Sequence, residues 1–271
     1  MMMALLLKLG LRFDRQTTGL FESIIKAQQK IAGGDFHIRM DKNTEQLGAF
    51  GELVESVNDM ALELSKIEKM RQEFISNASH EIQSPLTSIR GFAQALRNSK
   101  LSNETRSHYL SIIETESMRL SRLSDNLLKL ASLEADTMKF EPAVYRLDKQ
   151  IRRIILACEP HWSEKNITMD ISLEAVKIKA DEDMMSQVWI NLLQNSIKFT
   201  PEGGSVSVRV QQHDTTIVFQ IADTGSGIAE EDQRLIFERF FKADPLCAPS
   251  LQGSGLGLSI VKKLWKCIAG Q

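Results

Sequence analysis

Residues 187–201 read QVWINLLQNSIKFTP, and this stretch restricts the fold more than any other part of the sequence. At about 100° per residue, its polar side chains fall on one stripe of a helix and apolar side chains cover the rest. The stripe consists of four amides and one cation: Gln187, Asn191, Gln194, Asn195 and Lys198. A plain solvent-facing edge would normally carry Glu and Lys instead. Amide oxygens are hard ligands suited to Mg²⁺ and a lysine suits phosphate, so the pattern favours a site for both.

Strand-like segments lie on both sides of this helix. They cover residues 167–173, 206–211 and 217–221, and they alternate with helical segments at 147–164 and 181–199. Alternation of this kind predicts a separate α/β domain in the second half of the chain.

Two glycine-rich stretches follow in the same domain. In IADTGSGI (221–228), Asp223 ends a predicted strand, and Gly225 and Gly227 would let the backbone approach a flat ligand closely. A lone D-x-G-x-G is also common in ordinary turns. In GSGLGLSIVKK (253–263), glycines open a helix whose N–H groups can meet phosphate. These are Gly253, Gly255 and Gly257, and their spacing does not match the dinucleotide-binding fingerprint.

The stretch FERFFKADPLCAPSLQ (237–252) connects the two glycine-rich segments. It supplies aromatic anchors and Lys242, and then becomes polar and rich in small residues, which is typical of a mobile loop.

The first half of the chain has helical periodicity. A short helix over 17–32 is stopped by Gly33 and Gly34, and a later pattern has coiled-coil spacing. That seam contains Leu53, Val57, Met60, Leu64, Ile67 and Phe74. A second helix over 104–133 carries its own stripe, after a break at 98–103: Leu110, Ile113, Leu120, Leu123, Leu127 and Leu130.

These two long helices predict a hairpin whose apolar side needs a cover. A four-helix bundle made from two chains covers it simply, so we expect a homodimer. A partner within the same chain is the alternative, and it is disfavoured because the remaining sequence changes character.

The first hairpin helix contains FISNASHEIQSPLTSI (74–89), with His80, Glu81 and Pro85. Proline lacks an N–H and crowds the preceding turn, so we expect the helix to be bent or loosened near His80. A surface histidine is usually only solvated. This one has an acidic neighbour that can orient its imidazole or take its proton, which makes it a candidate for catalysis.

Composition excludes several classes of function. The 271 residues carry a formal charge of −2, so there is no global basic field for nucleic acid. The cysteines Cys158, Cys247 and Cys267 lie far apart and form no C-x-x-C pair, so the sequence implies neither a disulfide framework nor a zinc site and favours a reducing cytosolic setting.

The N-terminal stretch MMMALLLKLGL (1–11) is too short to span a membrane alone, because a spanning helix needs about 20 apolar residues. A signal peptide would have its positive charge before the apolar run. The simplest interpretation is an irregular N-terminal end without a structural role. The more specific interpretation is that these residues are the remnant of a transmembrane helix, with Arg12 and Arg15 on the cytoplasmic side.

In this order, the motifs resemble those of the sensor histidine kinases of two-component signalling. HEIQSPL, with His80, looks like the phosphoacceptor box, and NLLQNSIKFTP, with Phe199, looks like the asparagine box. DTGSGI and GSGLGLSI look like the two glycine boxes, and FERFFK looks like the phenylalanine box. Residues 12–69 are similar to a HAMP signal-relay module, whose second helix is matched by Gly51, Leu53, Asn58 and Met60.

The resemblance implies a multidomain ATP-dependent protein histidine kinase. An all-α relay (12–69) and a dimeric phosphoacceptor hairpin (70–135) would precede an α/β sandwich of the histidine kinase, gyrase and chaperone class (140–271). His80 would be phosphorylated, with Glu81 as base or orienting acceptor. The phosphoryl group would then pass to an aspartate of a response regulator, at the cytoplasmic face of a bacterial membrane.

The resemblance also implies how Mg·ATP is bound. Asp223 would accept a hydrogen bond from the adenine amino group, and Asn195, helped by Asn191, would ligate Mg²⁺. Lys198 would hold phosphate. The remaining expected nucleotide-binding residues are Phe199, Gly225, Gly227, Lys242, Gly253, Gly255 and Gly257.

Two alternative functions are also compatible with the sequence. An ATPase of the gyrase and chaperone class would hydrolyse ATP, but it gives no reason for His80 beside Glu81 on a hairpin. A non-catalytic signalling scaffold would dimerise without turning ATP over. Related kinases continue past the second glycine box into a β-hairpin, so we also expect an unpaired strand edge and a marginally stable nucleotide domain.

Overall fold

The computed structural model of the chain describes residues 19, 21–40, 49–98, 100–135, 140–243 and 253–269. The apolar run at 1–11 and the stretch 244–252, which the sequence predicts to be mobile, lie outside the described residues. The chain divides into two compact units, residues 1–78 and residues 79–271, and each is described by itself.

The first unit contains helix α1, over residues 21–32, and the start of a long helix α2 (Ala49–Ala95). The helix predicted over 17–32 is confirmed for its described part. Gly33 N donates to Gln29 O at 3.0 Å, and Gly34 has a φ of 89°, a left-handed conformation that glycine adopts at a helix C-terminus without strain.

The core of the first unit joins α1 to α2 along a stripe next to the predicted seam. It contains Ile24, Ala27, Ile31, Val57 and Ala61, with Leu64 packed against it. Of the predicted seam, Val57 is buried in this core and Leu64 packs against it, whereas Leu53, Met60 and Ile67 are 40–55% exposed in the single chain. Helix α1 packs on Val57 and Ala61 of α2, and the coiled-coil seam, which needs a second helix against its exposed members, stays a prediction.

The segment that follows α1 is tied to α2 by an amide. Asn58 Oδ1 accepts from Met40 N at 2.8 Å, and Asn58 Nδ2 donates to Met40 O at 3.1 Å. The Asn58 side chain thus satisfies both backbone hydrogen-bonding groups of Met40.

In the second unit, the C-terminal part of α2 and helix α3 (Asn103–Glu134) form the predicted hairpin. Ser102 caps α3 by accepting from Thr105 N at 3.1 Å. The Phe92 and Tyr109 rings lie 5.0 Å apart across the hairpin. Helix α2 continues through Pro85 without interruption, so the bend or loosening expected near His80 does not end the helix.

The hairpin buries only part of the stripe predicted on α3. Leu123, Leu130 and Leu133 are buried, whereas Leu110 is 52% exposed. Within one chain, the stripe is covered only towards the C-terminal end of α3.

The α/β domain contains two small sheets. Strands β1 (Ala143–Arg146) and β3 (Lys177–Ala180) pair antiparallel. Strand β4 (Ser205–His213) lies between β2 (Thr168–Leu173), to which it is parallel, and β5 (Thr216–Asp223), to which it is antiparallel. The sequence predicted the three strands of the second sheet and missed β1 and β3. Among the described strands, β5 pairs with β4 alone.

The helices of this domain are α4 (Leu147–Ala157), α5 (Glu159–Glu164), α6 (Glu182–Phe199) and α7 (Gly257–Ala269). The helical segment predicted over 147–164 is confirmed, but it consists of two helices that are separated at Cys158. Pro160 lies in the first turn of α5, where a proline starts a helix rather than continuing one.

The core lies between the three-stranded sheet and helices α6 and α7. Alternate residues of β4 point inward, and Val206, Val208 and Val210 are at most 1% exposed. Leu256 and Ile260 bring α7 against α6. No helix in the described part of the chain is long and apolar enough to cross a membrane.

Candidate active site

Helix α6 presents the predicted amide stripe. Asp181 fixes its start, since Asp181 Oδ1 accepts from Asp183 N at 3.1 Å and from Met184 N at 2.9 Å. Val188, Trp189, Leu193 and Ile197 are buried, which turns the polar stripe away from the core. Its members Asn191, Asn195 and Lys198 are half-buried.

Gln194 departs from the predicted stripe. It lines a groove of about 380 Å³ between α4 and α6, together with Ser186, Cys158 and His161. The stripe therefore consists of Gln187, Asn191, Asn195 and Lys198, and Gln194 lies outside it.

The second glycine-rich segment packs directly on this stripe. A Cβ added at Gly253 would lie 2.8 Å from Lys198 Nζ, and one added at Gly257 would lie 3.1 Å from Asn191 Oδ1. Asn191 Nδ2 donates to Gln187 O at 2.8 Å, which orients Asn191 Oδ1 towards Gly257. The site therefore combines amide oxygens, a lysine and the start of a helix.

Gly255 joins this segment to the phenylalanine-rich one. It has a φ of 69°, and a Cβ there would lie 2.6 Å from the backbone carbon of Phe240. Phe240 N donates to Gly255 O at 3.0 Å. Any side chain at position 255 would push the two segments apart.

The first glycine-rich segment lies at the C-terminal end of α6. Asp223 ends β5 as predicted, and its Oδ1 accepts from Gly225 N at 3.0 Å. A Cβ at Gly225 would lie 2.7 Å from Phe199 O, and Lys198 Nζ lies 4.5 Å from the centre of the Phe199 ring. Asp223 is exposed and Gly227 has a φ of 73°, so this edge is open to a ligand.

His80 and Glu81 lie on α2 in the same unit. His80 is exposed, while the side chain of Glu81 is 19% exposed and binds two cations. Lys242 Nζ lies 2.5 Å from Glu81 Oε1, and Arg119 Nη2 lies 3.2 Å from Glu81 Oε2. Lys242, which the resemblance assigns to the nucleotide, thus pairs with the residue that follows the candidate phosphoacceptor His80.

Residues 238–242 are held by three ion pairs. Glu238 binds Lys262 of α7 at 3.1 Å, Arg239 binds Glu134 of α3, and Lys242 binds Glu81 of α2. Through Phe240 and Gly255, this segment also contacts the second glycine-rich segment. It links the hairpin that carries His80 to the second glycine-rich segment, and Lys129 of α3 also donates to Gln187 of the amide stripe at 2.8 Å.

The donor set fits a magnesium–nucleotide complex. The half-buried amides Asn191 and Asn195 and the cation Lys198 lie beside the second glycine-rich segment, in which Gly255 leaves no room for a side chain. Among the described residues, no three His, Cys, Asp or Glu side chains cluster as a metal site. A metal held here would rely on few protein ligands plus phosphate oxygens, as Mg²⁺ does.

Comparison with known families assigns both halves of the site. Residues 70–136 match the His Kinase A (phospho-acceptor) domain. Residues 180–271 match the histidine kinase-, DNA gyrase B- and HSP90-like ATPase family. The chain belongs to the sensor histidine kinases. The presence of both domains decides this. An ATPase domain shared with gyrase and chaperones would not by itself account for the phosphoacceptor region that contains His80.

Individual sensor histidine kinases are similar over much of the chain. The signal transduction histidine-protein kinase BaeS of Escherichia coli (strain K12) is 28% identical over 240 residues, which is 88% of this chain and 50% of BaeS. The heme sensor protein HssS of Staphylococcus saprophyticus is 31% identical over 254 residues, 93% of this chain and 50% of HssS. The chain spans about half the length of the curated relatives it matches.

A solved structure supports the same fold assignment. Histidine kinase ThkA in complex with response regulator protein TrrA is 27% identical and has a TM-score of 0.55. The match covers 66% of this chain and 55% of that chain.

One cation of this histidine kinase site was missed by the sequence reasoning. Arg119 lies 38 residues from Glu81, in a helix whose sequence shows only an apolar stripe. Arg119 could have been identified only from the way in which the two hairpin helices are aligned with each other.

Proposed function

We propose that this sensor histidine kinase phosphorylates itself on His80 with ATP and passes the phosphoryl group to an aspartate of a response regulator. One observation carries the proposal. The residue next to His80 is ion-paired to Lys242, in a segment that packs against the glycines of the nucleotide site. One segment therefore links the neighbour of the acceptor histidine to the candidate phosphate site within one unit.

Each part of the nucleotide site has a role in the proposal. Asp223, exposed at the end of β5, accepts from the adenine amino group, and Phe199 and Gly225 lie beside it. Asn195, helped by Asn191, ligates Mg²⁺, which neutralises phosphate charge when bound.

The phosphates are held by cations and backbone groups. Lys198 binds them directly, and Lys242 reaches them when it leaves Glu81. Gly253, Gly255 and Gly257 allow the backbone N–H groups to approach closely.

The chemical step takes place on His80. An unprotonated ring nitrogen attacks the γ-phosphorus, an N–P bond forms, and the O–P bond to the ADP leaving group breaks. Glu81 orients the proton on the other ring nitrogen or accepts it. The remaining work of the site is positioning and charge neutralisation.

The partners follow from the same assignment. A second copy of the chain covers the exposed apolar stripe of the hairpin and completes a four-helix bundle. A receiver domain of a response regulator docks on that bundle; among relatives, the histidine kinase ThkA forms a complex with the response regulator protein TrrA. A HAMP relay over residues 12–69 passes a signal from the membrane to the hairpin at its cytoplasmic face.

Labelling separates this proposal from its rivals. The full chain is incubated with γ-³²P-ATP and Mg²⁺, and protein-bound label is followed. The kinase retains label on the chain, an ATPase of the gyrase class releases it as phosphate, and a scaffold acquires none. The retained label should be lost in acid and stable in base, as expected for a phosphoramidate.

Two substitutions assign the labelled residue. His80→Gln should abolish labelling and leave binding of a fluorescent ATP analogue nearly unchanged. His108→Gln changes an exposed histidine of α3 and serves as the matched control, with labelling retained. Acid-stable label, or label that persists in His80→Gln, would contradict the assignment.

A further inference from the structure

Glu81 has two cationic partners, and they come from different parts of the second unit. Arg119 lies on α3 within the hairpin, whereas Lys242 lies just before the stretch 244–252 and beside the glycine segment. The two partners bind different oxygens of the carboxylate, Oε2 and Oε1. They can therefore be separated without competing for one atom.

The position of Arg119 is determined by the packing of the hairpin. Phe92 of α2 contacts Tyr109 of α3, and about three helical turns further on the same antiparallel register places Arg119 opposite Glu81. Both helices are long and continuous. The Arg119–Glu81 pair is thus independent of the nucleotide-binding segments.

Arg119 is itself held on its other side. Arg119 Nη1 lies 3.7 Å from Glu116 Oε2, an atom that is buried and makes no hydrogen bond to the described residues. Because the guanidinium is planar and binds Glu81 through Nη2 and Glu116 through Nη1, its orientation is restricted from two directions. A fixed guanidinium in turn restricts the carboxylate of Glu81.

We propose that Arg119 is a positioning residue for phosphoryl transfer: it holds the Glu81 carboxylate beside His80 when Lys242 moves to the nucleotide. This inference rests on the proposed function. Glu81 must stay in place at the moment when His80 attacks, which is also the moment when phosphate attracts Lys242. Arg119 is the partner of Glu81 whose position does not depend on that exchange.

The test compares variants of the full chain by the rate of labelling with γ-³²P-ATP. Arg119→Gln should lower the maximal rate about 10- to 100-fold and leave the KM for ATP within about twofold, because misplacement of a catalytic group affects the chemical step. Arg119→Lys keeps the charge and should recover part of the rate. Arg122→Gln, an exposed arginine three residues further along α3, should behave as wild type.

A second variant separates positioning from stability. Arg119→Gln leaves Glu116 buried without its cation, so a loss of folding alone could slow labelling. The double variant Glu116→Gln/Arg119→Gln removes both charges and should remain slow at a normal melting temperature. Recovery of the rate in the double variant would overturn the proposal, since Arg119 would then serve only to balance Glu116.

The outcomes also distinguish this inference from the proposed function. Absence of label on the wild-type chain would overturn both. A labelled wild type with an equally fast Arg119→Gln, or an Arg119→Gln that changes only KM, would overturn the role of Arg119 and leave the kinase proposal intact.

Discussion

The helical hairpin and the α/β domain belong to one unit, but they cover their apolar residues differently. In the α/β domain, Val206, Val208 and Val210 are at most 1% exposed. In the hairpin, Leu86 and Leu110 are about half exposed and Leu128 is 66% exposed. The α/β domain completes its core within one chain, whereas the hairpin presents an apolar face that a second copy would cover.

This difference matters for the proposed chemistry. Contacts that connect His80 to the nucleotide site run from the incompletely covered hairpin to the well-packed domain, through Lys242 and Arg239. Glu134 and Arg239 are each 41% exposed, and exposed ion pairs contribute little stability, so this pair can break and form again during a reaction cycle. We therefore expect the two regions to respond differently to mutation.

The largest effect is expected from a charge on the exposed hairpin stripe. Leu110→Glu should raise the dissociation constant of the dimer more than about 100-fold, because burying an unpaired carboxylate costs several kcal/mol. Sedimentation velocity over a concentration series measures this. Leu156→Glu, at a 58% exposed leucine of α4, is the matched control and should leave the dimer unchanged. Dimers that persist equally in both variants would mean that this stripe is not the interface.

A smaller effect is expected from a cavity in the α/β core. Val208→Ala should lower the free energy of unfolding by about 1.5–3 kcal/mol, since the removed methyl groups are fully packed. The dimer should remain. Val144→Ala, at a 67% exposed position of β1, should change stability by less than about 0.5 kcal/mol. Urea denaturation followed by tryptophan fluorescence gives both values, and equal losses would contradict the assigned core.

A functional change without a structural one is expected on α6. Asn195→Ala should weaken binding of a fluorescent ATP analogue about tenfold in the presence of Mg²⁺, because a hard metal ligand is lost. Gln194→Ala, the neighbouring amide outside the stripe, should have little effect. Titrations with and without Mg²⁺ check this. If both variants lose affinity equally, the stripe is only a solvated face.

The smallest effect is chemical and leaves the fold unchanged. Burial raises the pKa of the Cys158 thiol, so less thiolate is present at pH 8 than for an ordinary cysteine, and the side chain is 5% exposed. Iodoacetamide should label Cys267, which is partly exposed, at least about tenfold faster than Cys158.

Peptide mapping of alkylated protein distinguishes the two cysteines. The difference should disappear in urea, and labelling of Cys158 should increase as the pH rises, because alkylation needs the thiolate. Rapid labelling of Cys158 in the folded protein would contradict the burial assigned to this side chain.

Much of the candidate site could be predicted from the sequence because its parts are local. The stripe of Asn191, Asn195 and Lys198 follows from the period of one helix, and Asp223 follows from the end of one strand. Helix α3 was predicted within one residue at each end, since a cap and a periodic stripe define it.

Two of the errors are non-local. Strands β1 and β3 have four residues each and pair across more than thirty positions, so neither shows a pattern of its own. Gln194 was placed on the stripe because adjacent positions on a helix project close together, and only the packing of α4 shows which side it faces.

The sequence by itself determined the family resemblance, the elements that carry the motifs and the residue types of the nucleotide site. These depend on helical period, strand alternation and glycine spacing, which act over a few neighbouring residues. The tertiary structure alone decided the environment of Glu81. Arg119 and Lys242 reach it from 38 and 161 positions along the chain, and such contacts depend on helix register and on the packing of Gly255 against Phe240. No local pattern contains that information, because long-range pairing arises only when the separately formed elements pack together.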